Sequence, residues 1–230
     1  MITRAVRLQN EGQELLTLES VQRASLDLIY GDYDWIQFYG RHAMERNVQR
    51  IPAAHGAHVI GSRRGTSSHQ YNPFVILAEK ETTEDFGACY GMSFVYSGGF
   101  QAFAERDQYD QTRMGMGISP EGFSWSLKPG ESFTAPEVIL SYTGKGLGEL
   151  SRQYHRILRH NVCRGMYKEV RRPILINNWE ATYFDFNGNK IYEIAKQAAE
   201  LGVEMLVLDD GWFGKRDSDA VSYTHLRAHE

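Results

Sequence analysis

The chain's 230 residues suffice for one large domain, or for a medium domain plus part of another, with a buried core. Its 29 acidic and 25 basic residues leave a formal charge of −4 without any block of five or six like charges, which argues against nucleic acid and anionic membrane as partners. Cys89 and Cys163 lie far apart without a metal-ligand spacing around either, so two reduced thiols are expected rather than a disulfide framework or a zinc site.

No apolar run approaches the roughly 18 residues that would span a bilayer, and the opening MITRAVRLQNEGQE lacks the apolar stretch of a signal peptide. The expectation is a soluble, cytoplasmic protein. From Ile2 to about Tyr142 the apolar spacing has the period of strands. Ile2, Val6 and Leu8 share a parity, Asn10-Glu11-Gly12 offers a turn, and Ala24, Leu26, Leu28 and Tyr30 alternate. Met92, Phe94 and Tyr96 alternate too, as do Phe123, Trp125 and Leu127, and Pro129-Gly130 punctuates before the apolar stretch Phe133 to Tyr142. This succession predicts a β-sandwich, with Trp35 and Trp125 as core residues rather than ligand platforms.

The period then changes. Leu147, Leu150, Tyr154, Ile157 and Leu158 recur at three- and four-residue steps, the stripe of an amphipathic helix, read here as a linker between domains. After Arg171-Arg172-Pro173 comes the short apolar run Ile174-Leu175-Ile176. A second helical stripe follows, Ile191, Ile194, Ala195, Ala198 and Leu201, closed by Gly202 as a C′ glycine. Val203 to Leu208 is another apolar run, ending in Asp209-Asp210-Gly211-Trp212. Strand, helix, strand with near-continuous apolar strands predicts a parallel β-α-β unit buried on both faces. Such a unit leaves both sheet edges unpaired, so it calls for the rest of a barrel or sheet.

Function in a (β/α)₈ barrel gathers at the C-terminal ends of its strands. Asn177-Asn178-Trp179-Glu180 and Asp209-Asp210-Gly211-Trp212 occupy such places. Adjacent aspartates there could hydrogen-bond two neighbouring hydroxyls of a sugar while a tryptophan covers its C–H face. Capping of a following helix and cation binding remain open for the same pair. Glu180 is either a catalytic carboxylate or a solvated loop residue. His225 and His229, four apart, would share a helix face as metal ligands do, but lack a third partner. Ser67-Ser68-His69 places hydroxyl and imidazole too close in sequence to face each other on a strand, which speaks against a nucleophile and its base.

Five stretches are distinctive: Arg64 to Phe74 (Arg-Gly-Thr-Ser-Ser-His-Gln-Tyr-Asn-Pro-Phe), Val95-Tyr96-Ser97-Gly98-Gly99-Phe100, Phe123-Ser124-Trp125-Ser126-Leu127 and, most specific, Ile176 to Phe186 (Ile-Asn-Asn-Trp-Glu-Ala-Thr-Tyr-Phe-Asp-Phe) and Leu208 to Arg216 (Leu-Asp-Asp-Gly-Trp-Phe-Gly-Lys-Arg). At these residues the sequence resembles the α-galactosidases of glycoside hydrolase family 36, of bacterial type. The resemblance implies a multidomain β and α/β protein: a β-supersandwich over residues 1–143 without its N-terminal part, a linker helix region over 144–172, and the first β-α-β of a (β/α)₈ TIM barrel over 173–219. It departs at Gly99, where the family usually has Asn, and at residues 220–230, which read as translated adapter sequence rather than selected protein.

The resemblance also implies retaining hydrolysis of terminal α-D-galactosyl groups, as in melibiose and raffinose, with no cofactor, no metal, and a homo-oligomeric, tetrameric parent. In the family the nucleophile sits in a Lys-Trp-Asp motif after the fourth barrel strand and the acid/base after the sixth. Neither lies in this chain, which is therefore expected to be an inactive internal fragment. What carries over is substrate binding: Asp209 and Asp210 match the pair that holds the galactose hydroxyls remote from the anomeric carbon, and Trp179 matches an aromatic wall of the pocket. Two alternatives stand beside this reading, a non-catalytic carbohydrate-binding sandwich and a galactosyl transferase or α-N-acetylgalactosaminidase on the same scaffold.

Overall fold

The computed structural model describes residues 1–212 and Ser218, so the His225 and His229 pair lies outside the described residues. The chain divides into two compact units, Met1–Val162 and Cys163–Glu230. The first runs through β1 (Ile2–Arg4), β2 (Arg7–Gln9), β3 (Leu16–Leu18), β4 (Gln22–Leu28), β5 (Tyr33–Arg41), β6 (Met44–Pro52) and β7 (Gly56–Gly61). It continues as β8 (Tyr71–Glu79), β9 (Cys89–Val95), β10 (Phe100–Arg106), β11 (Thr112–Ile118), β12 (Trp125–Leu127), β13 (Ser132–Thr134) and β14 (Glu137–Thr143). The helix α1 (Gly146–Ile157) and a π-helical turn over Leu158–Val162 close the unit.

One sheet has the strand order β1-β14-β9-β8-β5-β6, and a second has β10-β11-β4. Trp35, Val75, Leu77, Met92 and Phe94 of the first meet Phe100, Ala102, Ala104, Met114 and Met116 of the second, all buried. This is the sandwich that the alternating residues predict. The outer face of the larger sheet is partly covered as well, because Leu150 and Tyr154 of α1 pack over Ile36, Ile76, Ala78, Cys89 and Ile139. Burial on both faces explains why Val75 to Ala78 is an unbroken apolar run.

Turn chemistry sets the connections. The side chain of Asn10 accepts the Gly12 N–H at 3.0 Å and donates to the carbonyls of Glu14 and Leu127 at 2.8 and 2.9 Å, so the expected turn also ties β2 to the strand end at Leu127. At Pro129-Gly130 the Glu131 N–H donates to the Lys128 carbonyl at 3.0 Å and Gly130 has φ of 79°, a type II turn with its glycine where positive φ is required. Trp35 is fully buried, as expected. Trp125 is not: it is 48% exposed, because the two-stranded ribbon β12-β3 places it beyond the sandwich, leaning on Phe133 at 5.2 Å.

The second unit contains a 3₁₀ turn (Met166–Lys168), β15 (Leu175–Asn177), α2 (Trp179–Thr182), α3 (Gly188–Glu200) and β16 (Met205–Val207). β15 and β16 pair in parallel, Leu175 with Met205 and Asn177 with Val207, which makes the β-α-β unit. Asn187 caps α3 by accepting the Lys190 N–H at 3.0 Å, and Gly202 follows the helix with φ of 84°. At the entry to the strands, the Arg171 guanidinium grips the Glu204 carboxylate through two bonds of 2.9 and 2.6 Å, and the Ile174 N–H adds a third at 2.7 Å. These donors, Arg171 first, hold the Glu204 carboxyl below its usual range. Leu175, Leu201 and Met205 remain exposed, although parallel strands and their helices normally bury such residues.

Candidate functional site

Parallel pairing brings the exits of β15 and β16 to one edge. The segments Asn177-Asn178-Trp179 and Asp209-Asp210-Gly211 meet there, and the junction is made by amides. Asn178 is fully buried. Its Oδ1 accepts the Asp209 backbone N–H at 2.9 Å, and its Nδ2 donates to the hydroxyl of buried Thr182 at 2.9 Å. Asn177 works on the exposed side: its Oδ1 accepts the Trp179 N–H at 2.7 Å while its Nδ2 donates to Asp209 Oδ2 at 2.6 Å.

Each aspartate is held further by the chain that follows it. Asp209 Oδ1 accepts the Asp210 N–H at 2.8 Å, and Asp210 Oδ1 accepts the Gly211 N–H at 2.7 Å. Asp209 is exposed and Asp210 half-buried. Trp179 is half-buried, its indole edge-on to Tyr183 at 5.3 Å and to Phe184 at 4.8 Å. Two oriented carboxylates, which only accept when ionised, beside an aromatic surface match the hydroxyls and C–H face of a sugar.

The other sequence candidates are placed less suggestively. Glu180 is exposed and accepts the Tyr183 hydroxyl at 3.2 Å, a bond that, with the charge of Glu180, pushes the Tyr183 phenol up. Ser68 Oγ accepts the Gln70 N–H at 3.2 Å, His69 is exposed, and among the described residues no hydrogen bond joins Ser67 or Ser68 to His69. Cys89 and Cys163 are free, and burial pushes the Cys89 thiol up to about 11. Sequence alone assigns Asn177 and Asn178 no role beyond their place at the strand end. Their signal was available: two consecutive amides where the first strand ends, facing an Asp-Asp where the next one ends.

A family model described as glycosyl hydrolase family 36 N-terminal domain matches residues 1–128, more than half of the chain. The chain belongs to glycoside hydrolase family 36. A second model, described as melibiase, matches residues 132–228 and so covers the strand-end cluster. Among curated relatives, the bifunctional alpha-galactosidase/sucrose kinase AgaSK of Mediterraneibacter gnavus is 56% identical over all of this chain, which spans 25% of that protein. The alpha-galactosidase AgaA of Geobacillus stearothermophilus is 51% identical over 95% of the chain, which spans 30% of its length. The solved structure of AgaA superposes with a TM-score of 0.90, covering 94% of this chain and 30% of that one. The chain therefore spans between a quarter and about a third of the relatives it matches. Variants of AgaA have been solved in complex with stachyose and with raffinose. Among the described residues, no helix is long and apolar enough to cross a membrane.

Proposed function

We propose that this sequence is part of an α-galactosidase that hydrolyses terminal α-galactosyl groups of raffinose-type oligosaccharides with retention of configuration, and that Asp209, Asp210 and Trp179 form part of its galactose subsite. The observation that carries the reading is the convergence of these residues on one strand-end edge, with Asn178 joining the two segments. Relatives that bind stachyose and raffinose supply the substrate class. In this reading residues 1–143 are the sandwich, 144–172 the linker region and 173–219 the first part of a (β/α)₈ barrel.

Retaining hydrolysis uses one carboxylate to attack the anomeric carbon and a second, about 5 Å from it, to protonate the leaving oxygen and then activate water. The strand-end cluster serves a different task. Its aspartates accept hydrogen bonds from ring hydroxyls and Trp179 walls the sugar, so that binding energy remote from the reacting centre holds the ring for attack.

The test is Asp209→Ala and Asp210→Ala in the full-length enzyme. Each removes a charge-assisted acceptor worth about 1.5–3 kcal/mol, so kcat/KM should fall at least about tenfold. A change within twofold, accompanied by lower thermal stability, would mean that the pair caps the loop instead of binding substrate.

A further inference from the structure

We propose that Asn177 and Asn178 are positioning residues that set the plane and reach of the Asp209 carboxylate. This rests on the reading of Asp209 as a galactose-binding group. An exposed aspartate at a strand end would ordinarily sample several rotamers. Here two bonds remove that freedom, because Asn177 Nδ2 and the Asp210 N–H hold the two carboxylate oxygens at 2.6 and 2.8 Å, while Asn178 Oδ1 anchors the backbone N–H at 2.9 Å.

The two amides divide the work. Asn178 is fully buried with Oδ1 and Nδ2 both bonded, the condition under which a buried amide is tolerated, and it fixes where the Asp209 backbone sits. Asn177 already has a local role through its Oδ1 on the Trp179 N–H. Its Nδ2 is left to reach across to the other strand end, and the group it meets there is a carboxylate oxygen rather than the backbone. The same residue thus orients Asp209 and the backbone that carries Trp179.

The choice of amide is chemically specific. A lysine or arginine at 177 would form an ion pair and compete for the carboxylate, and an acid would repel it. A neutral N–H donor occupies one of about four lone-pair sites and leaves the negative charge for substrate hydroxyls. With the Asp210 N–H on the other oxygen, each carboxylate oxygen keeps an acceptor site among the described residues, the arrangement that fits two neighbouring hydroxyls.

The experiment is a double-mutant cycle on kcat/KM in the full-length enzyme, with Asn177→Ala, Asp209→Ala and the pair. Asn177→Ala should cost about tenfold alone and markedly less, about threefold, in the Asp209→Ala background, where only the lost bond to the Trp179 N–H still counts. Asn177→Asp should shift the acid limb of the kcat/KM profile upward by about one pH unit, since two carboxylates at hydrogen-bond distance cannot both be charged and the pair keeps a proton to higher pH. The melting temperature should barely move in either single variant, because the Asn177 side chain is exposed. Fully additive losses, or an unmoved pH profile, would overturn the positioning role while leaving the galactose reading intact. If Asp209→Ala itself left kcat/KM within twofold, the galactose reading would fail and positioning with it. For the buried residue, Asn178→Asp keeps the acceptor for the Asp209 N–H and should retain at least about tenfold more activity than Asn178→Leu; equal activity in two folded variants would remove Asn178 from the proposal. Should Asn178→Leu not fold, the Asn177 cycle decides alone.

Discussion

The ring of Tyr154 in α1 sits on Gly91 of β9, so closely that a methyl group on the glycine would stand 2.8 Å from the tyrosine Cε2. The Tyr154 hydroxyl donates to the Ile139 carbonyl at 3.0 Å, and burial pushes its phenol well above the usual range. The seat explains why this largely buried strand carries a glycine at 91. Gly91→Ala should destabilise the sandwich unit by about 1–3 kcal/mol through overpacking. Tyr154→Phe, which leaves the carbonyl with one partner fewer, should cost about 0.5–1.5 kcal/mol. Urea unfolding followed by far-ultraviolet circular dichroism reads both, and unchanged midpoints would refute the packing argument.

His58 ties the sandwich to pH. Trp35 Nε1 donates to Gln37 Oε1 at 2.8 Å, and His58 Nε2 approaches the same oxygen at 2.8 Å. A carbonyl oxygen only accepts, so Nε2 carries the proton in this bond. Burial lowers the His58 pKa, which means that the unfolded chain takes up the second proton more readily than the folded one. Stability is therefore full above the ordinary histidine value of about 6.5 and declines as pH falls through that value toward the lowered one. His58→Gln keeps a donor without titrating, so the drop in urea midpoint between pH 7 and pH 5 should be smaller than in the unsubstituted chain. Equal drops would exclude His58 as the source.

The second unit exposes Leu175, Leu201 and Met205 around its two parallel strands. The chain alone should consequently bind a hydrophobic dye or self-associate. Leu175→Lys should reduce that binding without loss of far-ultraviolet helicity. A monodisperse chain that ignores the dye would contradict the expectation.

The 230 residues by themselves should not turn over a chromogenic α-galactoside. They hold no Lys-Trp-Asp sequence, and on the proposed reading the aspartate pair at 209 and 210 positions a ring rather than breaking a bond. Turnover that survives purification and disappears with Asp209→Asn would defeat this view of the pair.

On the proposed reading of Trp179 as a wall of the galactose subsite, Trp179→Ala in the full-length enzyme should act mainly through KM, raising it severalfold with kcat little changed, because a wall that touches sugar equally before and during reaction contributes uniform binding. A loss confined to kcat would place the indole at the reacting centre instead. Its edge contacts with Tyr183 and Phe184 hold the ring, so Phe184→Ala should give a weaker effect of the same kind.

The local patterns of the chain determined a good deal unaided. Period two and the turns at Asn10-Glu11-Gly12 and Pro129-Gly130 forecast the sandwich, the helical stripe through Leu150 and Tyr154 forecast α1, and Gly202 marked the end of α3, because these signals depend on residues close in sequence. The Ile174-Leu175-Ile176 run located the first parallel strand to within one residue, and the specific stretches after it singled out Asp209, Asp210 and Trp179 as the candidates of the proposed subsite. Only the tertiary structure decided the rest. That Trp125 lies outside the core follows from which strand β12 pairs with, and that Tyr154 requires Gly91 follows from where α1 lands; neither is a local property. The bonds from Asn177 and Asn178 to Asp209 join residues about thirty positions apart, and they exist because β15 and β16 pair in parallel and in register. Sequence supplies the amides and the carboxylates; the register of two strands decides that they meet.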